Sequence, residues 1–195
     1  MSNSKDLRVI KTKTTIERAF ISLLKNKSFE RITVQNILDE ALINHKTFYA
    51  HYADKYQLAD IISENLINKF QLALTKRFKK PVLPTDSSAS MRTFYLTIFK
   101  DREAMLAMFK VKTNNHYLWD DLMDILKSTY HDHLTFITKS EPSHLEADYL
   151  CLSYAVLALN SIQWALTIGT SEAIDTVIRA YSNSLPAPLW PPSNF

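Results

Sequence analysis

TVQNILDEALINHKTFYAHYADKYQL, residues 33–58, contains two short amphipathic blocks, a break between them, and the start of a longer helix. In the first block Val34, Ile37, Leu38 and Ala41 recur at helical spacing. Thr33 can cap that helix, because its hydroxyl accepts from an exposed backbone N–H of the first turn. Asn44 can cap a second helix over His45 to Tyr52. Phe48 and Tyr52 lie four apart, so they share a face and can pack on Ile37, Leu38 and Leu23. Asn44, His45, Lys46 and Thr47 keep donors and acceptors for the other side. Each block is too short to be stable without tertiary packing. Joined by a tight turn at Leu42–Ile43, they have the outline of a helix-turn-helix. In such a unit the second helix lies in the DNA major groove and reaches base edges with its N-terminal residues, here 44–47.

Working outward, Ile16, Ala19, Phe20, Leu23 and Leu24 predict a preceding helix over about 6–26. After the second short block, Asp54 with Gln57 three residues on makes a capping-box-like start. Apolar positions from Leu58 to Leu74 carry that helix to about Lys80. The 195-residue chain has one glycine, Gly169, and no extended alternation of β-branched residues, which predicts an all-α fold. Residues 1–55 hold ten Lys/Arg against six Asp/Glu, and residues 56–195 thirteen against fourteen. The positive excess therefore sits in the N-terminal quarter and suits an anionic partner. A pair of short helices is also the form of an ordinary hairpin, and the TFYAHY block together with the charge favours the DNA reader.

At this point the sequence resembles the tetracycline-repressor (TetR) family of bacterial regulators. The likeness spans Thr14 to Leu58 and rests on IERAFISLL, SFERITVQNILDEA and above all TFYAHYADKYQL, with Tyr52 where the family pattern has Phe. It implies a nine-helix plan with a three-helix DNA-binding domain over 1–55, continuing into the start of the fourth helix, and an effector-binding, dimerising domain over 56–195. It also implies that Thr33 and Gln35 touch phosphates or base edges, that Asn44, His45, Lys46 and Thr47 face the groove, and that Tyr49, His51 and Lys55 bind backbone phosphates. Arg8, Lys11 and Lys13 would form a basic arm. Leu42 stands where the family usually has glycine. Leucine is strained at positive φ, so the turn is expected to differ locally.

PVLPTDSS, 81–88, breaks the chain as a loop, and helices are predicted over 88–100, 101–111, 115–138, 143–168 and 171–181. Ser143 and Glu146 form a capping box, Gly169 serves as a left-handed end, and Ser171 caps the last helix. The proline-rich tail LPAPLWPPSNF cannot continue it. In the resembling proteins the central helices enclose an effector pocket. Phe94, Met105, Phe109, Trp119, Met123, Tyr130 and Trp164 are its candidate lining here, suited to a hydrophobic or aromatic ligand. Helix 143–168 is apolar on most sides and must be covered. Tyr149, Leu152, Val156 and Leu159, with Ile174, Val177, Ile178 and Tyr181 from the last helix, are the candidate two-fold interface, and the alternative is that 143–168 is the central helix of one protomer. His116, Asp120, Asp124, Lys127 and His131 follow one helical stripe, read as a solvated face rather than a metal site.

No phosphate loop, zinc pattern or nucleophile motif stands out, so no enzyme activity, cofactor or metal is expected. No apolar run approaches the roughly 20 residues of a membrane span, the N-terminus lacks a signal-peptide core, and the single Cys151 excludes an internal disulfide. A cytoplasmic location is expected. The expectation is a homodimeric regulator, a repressor released from a palindromic operator by a small hydrophobic or aromatic effector. The alternative is a regulator-like protein that binds another protein rather than DNA, and Leu42 is its main support.

Overall fold

The computed structural model of the chain describes residues 2–78, 87–138 and 143–184. The greater part of the 81–88 loop and the proline-rich tail lie outside the described residues. Among the described residues there are nine α-helices: α1 Ser2–Asn26, α2 Val34–Ala41, α3 His45–Tyr49, α4 Lys55–Phe78, α5 Ser87–Phe99, α6 Arg102–Met108, α7 Leu118–Thr138, α8 His144–Ile168 and α9 Ser171–Ser184. A single 3-10 turn, Phe29–Arg31, precedes α2. An isolated antiparallel bridge joins Lys112 and Tyr117, and no strand is formed among the described residues. The all-α expectation holds.

The local chemistry explains most boundaries. α1 starts at Ser2, earlier than expected, and within it the hydroxyls of Thr12, Thr14 and Thr15 donate to carbonyls four residues back, each at 2.9 Å, so that they do not compete for the helix's own N–H groups. Thr33 caps α2 as expected, and Asn36 answers it: Thr33 Oγ1 accepts from the Asn36 N–H at 3.2 Å and Asn36 Oδ1 accepts from the Thr33 N–H at 3.3 Å. At the head of α4, Asp54 accepts from the Gln57 N–H (2.8 Å) while Gln57 Oε1 accepts from the Ala53 N–H (2.6 Å). The Ser143–Glu146 capping box is present, and Gly169 ends α8 at φ 77. A Cβ there would lie 2.7 Å from the guanidinium of Arg102, which donates to the carbonyls of Leu166 and Thr167 at the end of α8.

Three boundaries are corrected. α9 is capped by Thr170, whose hydroxyl accepts from the Ala173 N–H at 3.2 Å, rather than by Ser171. α3 ends at Tyr49, and Ala50 and His51 form a turn that leads to Tyr52. α7 begins at Leu118, because Thr113 holds residues 113–116 in a turn, accepting from the N–H groups of Asn115 (3.2 Å) and His116 (2.9 Å). His116 thus precedes the helix, 3.7 Å from Glu64, and shares no stripe with Asp120.

The chain divides into two compact units, Met1–Leu66 with Glu103–Leu118, and Ile67–Arg102 with Trp119–Phe195. In the first, α1 packs on α2 and the core gathers Ile16, Phe20, Leu24, Phe29, Ile37, Leu38, Phe48, Tyr52 and Leu58. Phe20 and Tyr56 both meet Phe29 edge-on, at 6.1 and 5.3 Å between centroids. The turn after α6 is fastened to α4, since both Thr113 Oγ1 and Asn115 Nδ2 donate to the Asp60 carboxylate at 2.6 Å.

In the second unit α9 packs on α5 and α8. Its core includes Phe70, Leu74, Phe94, Tyr95, Leu122, Leu126, Tyr130, Tyr154, Leu159, Ile162, Ile174 and Tyr181. An Arg92–Asp175 ion pair joins α5 to α9. At 25 residues, α8 is long and apolar enough by composition to cross a bilayer, contrary to the sequence reading. However, nine of its residues, from Ala147 to Leu166, are buried in this unit, as expected of a central helix. Cys151 is one of them, and burial pushes its thiol pKa up, with Asp148 adding to the effect.

Candidate nucleic-acid interface

The turn between α2 and α3 decides how the second helix is presented. Leu42 takes φ 53 and ψ 45, the left-handed conformation that glycine would adopt without strain. The Ile43 N–H reaches the Leu38 carbonyl (3.1 Å) and the Leu42 N–H the Asp39 carbonyl (3.4 Å), the paired bonds of a Schellman end. The expectation of a locally different turn is therefore overturned: the sharp turn forms and leucine carries its strain, with a side chain 92% exposed.

α3 then separates two faces. Phe48 is fully buried, and Tyr52 just beyond the helix is almost so, their rings 5.7 Å apart. Tyr52, which stands for a phenylalanine in the family pattern, uses its extra hydroxyl to donate to Glu17 Oε1 of α1 at 3.1 Å. Burial and that carboxylate both raise its pKa, so it remains a phenol. On the other face Asn44, His45, Lys46 and Tyr49 are exposed and Thr47 is half-buried. Asn44 Oδ1 caps the helix by accepting from the Thr47 N–H (2.9 Å) and hydroxyl (3.0 Å). His45 stacks on Tyr49, and its Nε2 lies 3.2 Å from Gln35 Oε1, while Gln35 Nε2 donates to Asp39 at 2.7 Å. The structure thus brings Gln35, His45 and Tyr49 together as one polar and aromatic surface with Lys46 beside it. Thr33 is exposed, and His51 is half-buried beside Tyr52.

Alongside lies an open groove of about 510 Å³ between α1 and the α3 region, lined by Leu7, Arg8, Lys11, Thr12, Thr15, Ile43 and Thr47. Arg8 and Lys11 of the expected basic arm are part of it. They project from α1, and Lys13 is half-buried on the same helix.

Lys55 has a different place from the phosphate contact expected of it. Its ammonium donates to three carbonyls, Phe29 (2.9 Å), Glu30 (3.1 Å) and Ile32 (2.8 Å), and stands 4.7 Å from the Phe29 ring centre. An ammonium has three donors, and these three bonds use them all. Lys55 fastens the start of α4 to the connection that precedes α2.

The candidate ligand-pocket residues are dispersed. A narrow crevice of about 10 Å³ in the second unit is lined, among the described residues, by ten side chains that include Leu74, Arg77, Phe94, Tyr95, Tyr154 and Tyr181. Of the expected lining only Phe94 belongs to it. Tyr130 stands outside, stacked on Tyr154 at 4.2 Å, and Trp119 and Met123 are half-buried away from it. Met105 and Phe109 are buried in the first unit, and Trp164 is 46% exposed. Arg77 was missed because it is charged. Its spacing gave a signal, since Phe70, Leu74 and Arg77 stand at i, i+4 and i+7 on one helix.

The expected two-fold interface is corrected at five positions. Leu159, Ile174, Val177, Ile178 and Tyr181 are buried within the protomer, in the second unit where α9 packs on α5 and α8. Tyr149, Leu152 and Val156 are exposed, and Leu145 extends their stripe along α8. Among the described residues no group of three or more His, Cys, Asp or Glu side chains could hold a metal ion.

No protein-family model matches the chain. An uncharacterized HTH-type transcriptional regulator of Bacillus subtilis (strain 168), YxbF, is 21% identical over 145 residues, 73% of this chain and 37% of that protein. The chain therefore spans well under half the length of that curated relative. Among solved structures, the dihydroxyacetone kinase operon activator DhaS is 17% identical with a TM-score of 0.53, over 88% of this chain and 96% of that one. A gamma-butyrolactone receptor described as ArpA-like is 14% identical with a TM-score of 0.58, over 89% and 95%. The fold is the all-α TetR-like fold, as the sequence resemblance implied.

Proposed function

We propose that the protein is a DNA-binding transcriptional regulator that acts as a homodimer and responds to a small ligand. The observation that carries this reading is the two-sided α3. Phe48 fixes the helix to the core while Asn44, His45, Lys46 and Tyr49 stand exposed, backed by Gln35 and flanked by Arg8 and Lys11 in the adjoining groove. Base edges are to be read by residues 44–47, with Gln35 holding His45 in place, and phosphates are to be met by Lys11, Arg8, Thr33, Tyr49 and His51. The relative's description as an HTH-type regulator supports the same class. The rival reading, a module that binds another protein, drew on a disturbed turn at Leu42. The Schellman geometry removes that support.

Dimerisation is assigned to the exposed face of α8, where Leu145, Tyr149, Leu152 and Val156 are 81, 70, 50 and 42% exposed. A two-fold dimer would present two reading heads to a palindromic operator. A ligand that binds best to the form with mismatched heads lowers operator affinity by its differential binding energy, which gives a repressor released by its effector.

The test is DNA binding to a mixed-sequence duplex, followed by fluorescence anisotropy against salt. Wild type is expected to bind at low salt with a steep dependence, and Lys11→Ala and Arg8→Ala each to reduce the slope of log K against log salt by about 2, one phosphate contact from each protomer of the dimer. Absence of binding at about 50 mM salt would contradict the reading.

A further inference from the structure

Asp39 is an acid on the surface that faces a polyanion. It is exposed near the end of α2, and the turn uses only its backbone carbonyl, which accepts from the Leu42 N–H. The turn therefore does not need the carboxylate, and DNA phosphates would repel it. Its partner is Gln35, one helical turn back on the same face, whose Nε2 donates to Asp39 Oδ1 at 2.7 Å. Gln35 Oε1 lies 3.2 Å from His45 Nε2. The His45 ring is stacked on Tyr49, with 6.1 Å between centroids and 13° between planes.

These groups have one consistent arrangement of hydrogens. An ionised carboxylate only accepts, so the amide nitrogen of Gln35 must face Asp39. The amide oxygen then faces His45, and because it too only accepts, His45 Nε2 carries a hydrogen and donates. In the neutral ring Nδ1 is left as the acceptor. Tyr49 fixes the plane of the ring and Gln35 occupies one edge, so Nδ1 is the atom that remains for an outside group. In the major groove an acceptor is matched by the exocyclic amino group of cytosine or adenine. Guanine O6 and N7, adenine N7 and thymine O4 are acceptors themselves and do not match it.

We propose that Asp39 is a positioning residue that sets sequence specificity. Through Gln35 it holds His45 with Nδ1 as an acceptor, so that His45 meets an amino-bearing base in each half-site. This rests on α3 being the DNA-reading helix. It adds the chemistry of one base contact and traces it to a residue that does not touch DNA. The carboxylate has two opposed effects. Its charge weakens attraction to any duplex, while its hold on the ring penalises duplexes that offer the wrong group, so affinity is exchanged for discrimination.

The experiment uses the full chain. A duplex motif is selected from a random pool by the wild type, and the selection is repeated with His45→Ala, Asp39→Ala and the double variant. Both single substitutions are expected to relax the same base pair of each half-site, by about tenfold, and the double variant no further than His45→Ala alone. Asp39→Ala should bind a non-cognate duplex at least as tightly as the wild type does. At the relaxed pair, replacing adenine by purine or cytosine by pyrimidin-2-one removes the amino group. That should weaken the wild type by about tenfold and leave His45→Ala unaffected. A 7-deaza purine, which removes the N7 acceptor, should change neither.

Four outcomes would overturn the inference while leaving the regulator reading intact. They are no shared base pair relaxed by Asp39→Ala, additive effects in the double variant, equal loss on cognate and non-cognate duplexes, and a loss that follows N7 instead of the amino group. A wild type that selects no motif would remove both.

Discussion

Leu42 occupies a conformation in which an L-residue with a Cβ costs roughly 1–2 kcal/mol. Its side chain is 92% exposed, so little packing compensates for that cost. Leu42→Gly should therefore raise stability by about 1 kcal/mol, offset in part by the greater freedom of glycine in the unfolded chain. The unfolding midpoint should rise by about 2–4 °C, and a fall would show that Leu42 makes a contact the strain estimate leaves out. Lys55 is the opposite case, a charged residue whose work is internal. Lys55→Met would leave the carbonyls of Phe29, Glu30 and Ile32 without their ammonium partner and should cost about 2–3 kcal/mol, read from urea unfolding. The salt slope of DNA binding should not change. A reduced slope at unaltered stability would return Lys55 to the phosphate contacts.

At the scale of elements, α8 serves as both core and surface. Its buried side includes Tyr154, Leu159 and Ile162, and its exposed stripe begins at Leu145 and continues through Tyr149, Leu152 and Val156. A charge in that stripe should separate protomers without unfolding them. Leu152→Lys is expected to shift the mass measured by light scattering from dimer to monomer and leave the helical circular dichroism intact. A mass unchanged by the substitution would assign the dimer to another face. Sequence periodicity located α8 and its capping box, but its apolar residues surround the helix so evenly that spacing could not say which side met its own protomer. The buried fate of Ile174, Val177, Ile178 and Tyr181 follows from α9 packing on α5 and α8, a long-range fact that local pattern does not encode. α3 was far more legible, because Phe48 and the 44–47 polar run differ in chemistry on two clear faces. Its shortness was not, since the turn at Ala50 and His51 has no proline or glycine to mark it.

For the whole molecule, the two units differ in what the sequence disclosed. The first contains a motif whose polar and apolar positions are clearly divided, so its caps and buried aromatics were readable from residues 33–58, though the end of α3 was not. The inclusion of Glu103–Leu118 in that unit was not, because it depends on Asp60 receiving Thr113 and Asn115 from far along the chain. In the second unit the apolar residues were plain but the crevice was not, as its defining group, Arg77, is of a type normally found at the surface. The account stands or falls on sequence-specific DNA recognition by a dimer. The most direct measurement is selection of bound duplexes from a random pool, with the Lys46→Ala, Tyr49→Ala double variant selected in parallel. A palindromic motif should be enriched by the wild-type chain and absent from the variant's pool. Failure of the wild type to enrich any motif at low salt, or the same motif enriched by both proteins, would contradict it.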